Sequence, residues 1–198
     1  ARVATVAHCV SGTSKKATTG AVDTPRPADD HRSRRVPLME GQMPTSRYIV
    51  WAPGDGHQLG SEPGREVTFK LTGADTGGAL DYFIVAVAPK NGPPLHVHHH
   101  QGETLHVLKG QFKVRIGEQI VLCTEGGFAY LPPGVPHAFV NVTDAPGEII
   151  VVYTPGGGQG FFEELGAATR NGTPNPEAVA LVFAHHGMAP LGPPLCAD

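Results

Sequence analysis

The sequence predicts an antiparallel β protein, a sandwich or barrel, with short helices appended at its C-terminal side. The chain of 198 residues has 26 glycines and 19 prolines but only 17% charged residues, which is typical of many short strands joined by turns. From residue 47 onward, short segments rich in β-branched and aromatic residues alternate with clusters of Gly, Pro, Asp or Asn. After residue 158 the pattern favours helices.

Ten short segments are predicted to form strands, because each is bounded by turn residues such as Lys109-Gly110 and Gly117-Glu118. Regular short strands of this kind favour antiparallel pairing. No internal repeat is present. The predicted strands are 48–51, 66–71, 80–88, 95–99, 104–108, 111–116, 119–123, 128–131, 138–142 and 148–153.

Two helices are predicted near the end of the chain. Residues 159–165 form the first, and Gly166 is expected to end it. The second begins at Asn175-Pro176-Glu177, which supply an N-cap, a proline at the first helical position and an early acidic side chain. Gly187 is expected to close it.

The chain is expected to have three parts. Residues 1–37 contain seven Lys or Arg and three Asp without a hydrophobic period, and we expect a disordered or loosely packed basic arm. Residues 38–167 are expected to form the β-barrel, and residues 168–198 a helix and tail that pack on it. Because the net charge is −3, composition gives no general attraction to nucleic acid or to an anionic membrane.

Three cysteines without a C-x-x-C spacing indicate neither a disulfide framework nor a thiolate zinc site. No apolar run approaches the roughly 18 residues of a membrane span. These observations favour a reducing compartment, and a cytoplasmic location is expected.

The histidines carry the strongest chemical signal, since six of the eleven lie between His96 and His137. Side chains alternate faces along a strand, so His96 and His98 are expected to point one way and Val97 the other. Glu103 begins the next strand, and His137 follows a rigid proline-rich turn. Histidine and carboxylate ligands with open positions suit Fe, Mn, Co, Ni or Cu, and zinc is an alternative.

The set is therefore predicted to hold one divalent transition metal. The alternative is that a histidine-rich tract is a surface accident, but the alternation and the separate His137 argue against it. The other histidines are predicted to be surface or packing residues: His99 facing away from the site, His100 in the connection, and His57, His106, His185 and His186.

These residues resemble the two motifs of the cupin superfamily. The first motif, H-x-H-x4-E-x6-G, is present as His96-x-His98-x4-Glu103-x6-Gly110. The second, G-x5-P-x-G-x2-H-x3-N, is present as Gly126-x5-Pro132-x-Gly134-x2-His137-x3-Asn141. The resemblance covers about residues 45–195 and implies a double-stranded β-helix, a jelly-roll barrel, with His96, His98, Glu103 and His137 as ligands of an internal metal.

Flanking segments such as Thr154-Pro155-Gly156-Gly157 and 161–166 are similar to those of bacterial mono-cupins described as quercetin 2,3-dioxygenase-like. That resemblance implies a metal-dependent dioxygenase that cleaves a small phenolic or enolic, flavonol-like substrate with O2. Glu103 is then expected to accept the substrate proton. Leu105 and His106 stand where many cupins have an aromatic pair, which puts flavonol specificity in doubt.

Two further functions remain open on the same scaffold. One is a metal-dependent isomerase, lyase or cyclase, and the other is a non-enzymatic cupin that binds a metabolite or stores metal. The substrate pocket is predicted to include Leu105, Phe112, Tyr130 and Phe139, although ordinary core packing would explain each of them equally well. A homodimer is expected, because an isolated barrel leaves strand edges open.

Overall fold

The computed structural model describes residues 48–59, 64–169 and 175–198. From Ile49 onward, the described residues belong to one compact unit. The predicted basic arm, 1–37, lies outside the described residues, and the three-part division of the chain stays a prediction. Neither of the helices in the described residues has the length and apolar character that a bilayer crossing requires.

Eleven strands and two helices make up the described part of the chain. In chain order they are β1 (His57–Leu59), β2 (Arg65–Leu71), β3 (Asp81–Val87), β4 (Pro94–His98), β5 (Gly102–Lys109), β6 (Gln111–Ile116), β7 (Gln119–Thr124), β8 (Phe128–Leu131), β9 (His137–Asn141), β10 (Gly147–Thr154), α1 (Gly158–Thr169), α2 (Pro176–His185) and β11 (Met188–Pro194).

The strands form two antiparallel sheets. One has six strands in the order β1-β2-β3-β10-β5-β8, and the other has five in the order β11-β4-β9-β6-β7. Consecutive strands β4 and β5 lie in different sheets, as do β9 and β10, so the chain crosses repeatedly between them. The predicted all-β jelly roll is therefore confirmed, as two sheets rather than one closed barrel in the described residues.

The main core lies between the two sheets, where alternate side chains of each strand point inward. Phe69 stacks on Phe83 in the six-stranded sheet, with ring centroids 4.6 Å apart, and Phe112 meets Phe139 in the other sheet at 6.1 Å. A second cluster joins the helices to β11. Both helices thus pack against the sheets through apolar side chains.

Glycines with a positive φ allow two of the turns that the motifs require. Gly110 joins β5 to β6 at φ 92°, and Gly134 precedes β9 at φ 78°. Side chains are rarely tolerated at such angles, so glycine at these positions has a backbone reason.

Three local predictions need correction. Residues 48–51 form no strand, and the Trp51 indole instead donates a hydrogen bond to the Lys70 carbonyl at 2.8 Å. Gly166 does not end α1, which continues to Thr169, because no left-handed turn forms there. Strand β11 was not predicted, since its three prolines argue against a strand; its position at a sheet edge makes them tolerable.

The second helix matches its prediction. Asn175 is the N-cap, and its side-chain oxygen accepts a hydrogen bond from the Glu177 amide at 2.9 Å. Pro176 opens the helix, and Gly187, at φ 66°, turns the chain into β11.

Candidate metal centre

Four side chains from three strands meet in the interior. His96 and His98 lie on β4, Glu103 on β5 and His137 on β9. His96 is the direct pairing partner of His137, which brings the two rings to a centroid distance of 4.5 Å. All four are at most 7% exposed. The alternation that the sequence predicts therefore holds, and the connection after β4 places Glu103 beside the imidazoles.

The ligand-type atoms of this cluster point at one another. Nε2 of His137 lies 3.1 Å from Oε2 of Glu103, and Nε2 of His98 lies 3.5 Å from the same oxygen. One nitrogen or oxygen from each of the four residues lies within 4.8 Å of all the others. A single small cation could therefore contact all four residues.

Hydrogen bonds on the opposite ring nitrogens fix the histidine orientations. Nδ1 of His96 donates to the Pro94 carbonyl and Nδ1 of His137 to the Val135 carbonyl, both at 2.8 Å. When a ring is neutral its proton is on Nδ1, and its Nε2 then offers a lone pair to the centre of the cluster. Partners of this kind orient the histidine ligands of metals in proteins.

The third ring is held in the same way by a side chain. Nδ1 of His98 donates to Oε1 of Gln101 at 3.3 Å, and Nε2 of Gln101 donates in turn to the Pro155 carbonyl at 3.1 Å. The amide orientation leaves Oε1 as the acceptor. In their neutral form, all three imidazoles thus share one tautomer.

Burial keeps the imidazole of His96 neutral. Burial, followed by repulsion from His137, lowers the pKa of His96 to about 3. Burial also lowers the pKa of His98. Neutral imidazole is the form that binds a metal.

The carboxylate and its nearest ring behave as an ion pair in the metal-free protein. Burial alone would raise the pKa of Glu103. The hydrogen bond to His137 and the charges of the three nearby histidines act more strongly in the opposite direction, so the net pKa is lowered. Burial alone would lower the pKa of His137, but the hydrogen bond to Glu103 and the charge of Glu103 outweigh burial, so the net pKa is raised. Glu103 is thus a carboxylate that needs positive charge beside it.

The residues present fit a divalent transition metal. Nε2 of His98 is buried and makes no hydrogen bond within the described residues. A buried histidine with a purely structural role would normally have a hydrogen-bond partner for this nitrogen. Three imidazoles, one carboxylate and no thiolate suit Fe, Mn, Co, Ni or Cu, and zinc is also compatible.

A cavity adjoins the cluster, and its wall is mainly apolar and aromatic. The sheets contribute one side and the helices the other. Its lining from the sheets includes Val67, Phe83, Val85, Phe139 and Val151, and its lining from the helices Phe161, Phe162, Leu165 and Phe183, with Arg65, His96, His98, Glu103 and Tyr153 as the polar members.

The predicted pocket residues are only partly brought together. Phe139 lines the cavity, whereas Leu105 and Phe112 are buried in the core between the sheets and do not line it. Tyr130, also predicted to line the pocket, does not line the cavity, and its side chain is 53% exposed. On β8, Ala129 and Leu131 are the buried residues, so Tyr130 has the opposite phase.

The remaining histidine predictions agree with the structure where burial tests them. His57, His99, His100, His106 and His185 are exposed, and His186 is partly buried.

Sequence analysis missed two polar residues of the cavity. Tyr153 is the pairing partner of Glu103 across β5 and β10, and its ring centroid lies 5.0 Å from that of His98. Burial, followed by the negative charges of Glu103 and Asp81, raises its pKa well above the usual range, so the phenol keeps its proton. Burial lowers the pKa of Arg65 to about 10, which leaves a cation at neutral pH. The inward period of β10 could have revealed Tyr153, because Ile149 and Val151 share its phase.

Comparison with known proteins identifies the fold family. Residues 83–153 match the family model of the cupin domain. Over this segment the chain is similar to a cupin domain. The segment contains both motifs, and with them all four residues of the buried cluster.

Curated relatives share only part of this chain. The xanthan biosynthesis protein XanB of Xanthomonas campestris pv. campestris is 35% identical over 78 residues, 39% of this chain and 17% of that protein. Quercetin 2,3-dioxygenase of Bacillus subtilis is 30% identical over 77 residues, 38% of this chain and 23% of that protein. The chain therefore spans about a fifth of the length of these relatives.

Among solved structures, KdgF from Halomonas sp. is 16% identical. The alignment covers 55% of this chain and 93% of that one, with a TM-score of 0.48.

Proposed function

We propose that the protein is a metal-dependent dioxygenase that cleaves a small phenolic or enolic, flavonol-like molecule with O2. The observation that carries the proposal is a buried His96, His98, Glu103 and His137 cluster that opens on an apolar, aromatic-lined cavity. The partial similarity to a quercetin 2,3-dioxygenase adds support. Bound to these four residues, a first-row metal would supply a Lewis acid for a phenolate or enolate oxygen and, where it is redox-active, reactivity toward O2.

The chain's own groups suit that chemistry. Glu103 is a carboxylate within the cavity and can accept the proton of a substrate hydroxyl. Tyr153 keeps its proton and can donate a hydrogen bond to an oxygen that gains charge. The rings of Phe83, Phe139 and Phe161 can pack on a planar substrate and exclude water.

A second candidate function follows from Glu103 and Tyr153. Glu103 and the protonated Tyr153 face one another across paired strands, so a base and an acid are available in one cavity without O2. A metal-dependent isomerase, lyase or cyclase would need only these groups and a polarising cation. A cupin that only binds a metabolite or stores metal would use neither.

The test replaces Glu103 with Gln and measures oxygen consumption with a panel of phenolic substrates, with metal content measured on the same samples. Because three imidazoles remain, we expect Glu103→Gln to keep much of its metal, while turnover falls roughly 10²- to 10⁴-fold. The control is Glu148→Gln, an exposed carboxylate on the neighbouring strand β10.

Each alternative has its own outcome. A fully metallated Glu103→Gln protein that consumes O2 at the wild-type rate would show that Glu103 is not the base. Loss of metal and turnover in parallel would make Glu103 a structural ligand only. Conversion of a substrate that persists under argon indicates the isomerase, lyase or cyclase. If no substrate of the panel is converted, with or without O2, a binding or storage protein is favoured.

A further inference from the structure

We propose that Glu164, His185 and His186 form a second metal site, for a borderline divalent cation such as Zn²⁺, which links α1 to α2 on the outer side of the cavity. None of these residues belongs to the buried cluster or lines the cavity. The site rests on their convergence, on an unsatisfied ring nitrogen and on the position of the two helices.

The three side chains converge although they come from two helices. Nδ1 of His185 lies 3.0 Å from Oε2 of Glu164, and Nε2 of His186 lies 3.3 Å from Oε1 of the same residue. Ligand atoms around a tetrahedral zinc with bonds of 2.0–2.1 Å are separated by about 3.3 Å. Both nitrogen–oxygen separations are close to that value, and one ligand atom from each of the three residues lies within 4.8 Å of the others.

The end of α2 produces this convergence. Consecutive residues inside a helix point about 100° apart, so adjacent histidines would normally diverge. Here α2 ends at His185, and His186 is its C-cap, with φ −95° and ψ 19°. As a result the two ring centroids lie 4.9 Å apart.

One ring nitrogen is left without a hydrogen bond. Nε2 of His186 is buried and makes none within the described residues, although Glu164 lies nearby. The ring also packs against Phe161, and a side chain at Gly160 would lie 3.1 Å from its Cε1. The ring is thus held in place with Nε2 toward the carboxylate.

The donor atoms of the three residues suit zinc. Two neutral nitrogens and one carboxylate oxygen form a common ligand set for zinc, with water completing the coordination.

A cation at this site would connect the two helices that wall the cavity. Phe161 and Leu165 on α1 and Phe183 on α2 line the cavity, and the rings of Phe161 and Phe183 are 5.0 Å apart. Glu164 lies next to Leu165, one of the three cavity-lining positions of α1. Metal binding is therefore expected to hold α1 and α2 together over the buried cluster.

The experiment titrates Zn²⁺ into chelator-treated full-length protein by calorimetry and counts equivalents. We expect the wild type to bind two, and Glu164→Gln or His185→Ala to bind one. Glu163→Gln, which removes the adjacent carboxylate on α1, should still bind two. His185→Ala is safe for folding, because that side chain is 70% exposed.

A Zn²⁺ count that is the same in Glu164→Gln and in His185→Ala as in the wild type would overturn the site. Hydrogen exchange tests the link between the helices. The second equivalent should slow amide exchange in 176–185 of the wild type and of Glu163→Gln, but not of Glu164→Gln. Unchanged exchange in a wild type that binds two equivalents would overturn the link.

Discussion

Replacing Asp81 with Asn should destabilise the protein by removing the acceptor that holds the start of α1. Asp81 is fully buried, and its Oδ2 accepts hydrogen bonds from the amides of Gly157 and Gly158, at 2.8 and 2.7 Å. Its Oδ1 accepts one from the amide of Gly73 at 2.5 Å. Gly158 is the first residue of α1, where a negative charge also favours the helix dipole.

An asparagine can satisfy only part of this arrangement. Its single carbonyl oxygen can face Gly157 and Gly158, but its NH2 group then faces the Gly73 amide, donor against donor. One unsatisfied buried donor costs about 1–3 kcal/mol, and the remaining bonds lose their charge assistance. We expect the free energy of unfolding to fall by roughly 2–4 kcal/mol. At about 2–4 °C per kcal/mol, Tm should fall by roughly 5–15 °C.

Calorimetry and urea unfolding followed by circular dichroism measure this change. The matched control is Asp144→Asn, whose side chain is 95% exposed and pairs with Lys90 at 3.1 Å. A surface pair of this kind contributes less than about 1 kcal/mol. If Asp81→Asn were no less stable than Asp144→Asn, the carboxylate would not hold α1 in the way argued above.

Two further predictions concern stability and association. Asn141 is fully buried, and its Nδ2 donates to the carbonyls of Val87 and Ala145 at 3.1 and 2.8 Å. Asn141→Ala should therefore lower the free energy of unfolding by roughly 2–4 kcal/mol in urea titrations, with unchanged metal content per folded chain; a loss below about 1 kcal/mol would be inconsistent with this role. Phe128 is 63% exposed on β8, an edge strand, so we propose this edge as the interface of the expected homodimer. The wild type should sediment as a dimer and Phe128→Asp as a monomer; a monomeric wild type, or a Phe128→Asp protein that remains dimeric, would contradict this proposal.

Strand alternation and the motif spacings together predicted that His96, His98, Glu103 and His137 would meet, as they do in the buried cluster. Strand alternation places His96 and His98 on one face, and the motif spacings bring Glu103 and His137 to them. The same period could not choose the phase of β8, because Ala129-Tyr130-Leu131 is apolar on both faces. The pattern therefore did not exclude Tyr130 from the predicted pocket.

Other features depend on contacts between distant parts of the chain. Asp81 meets Gly157 and Gly158 only after β3 and β10 pair, and no local pattern identifies it as the anchor of α1. The convergence of His185 and His186 on Glu164 depends on how α2 ends and on how the helices pack. Strand β11 can contain prolines because it lies at a sheet edge, and the composition of the segment alone does not reveal that edge position.

Metal analysis of His98→Ala tests the central claim most directly, namely that the buried cluster holds a metal. Its ring is 1% exposed, and its Nε2 faces Glu103, whereas the neighbouring His99 is exposed. Elemental analysis of protein purified from its native host should show that His98→Ala contains one metal equivalent less than the wild type. His99→Ala, the matched control, should retain the full content. Wild-type metal content in a folded His98→Ala protein would contradict the claim.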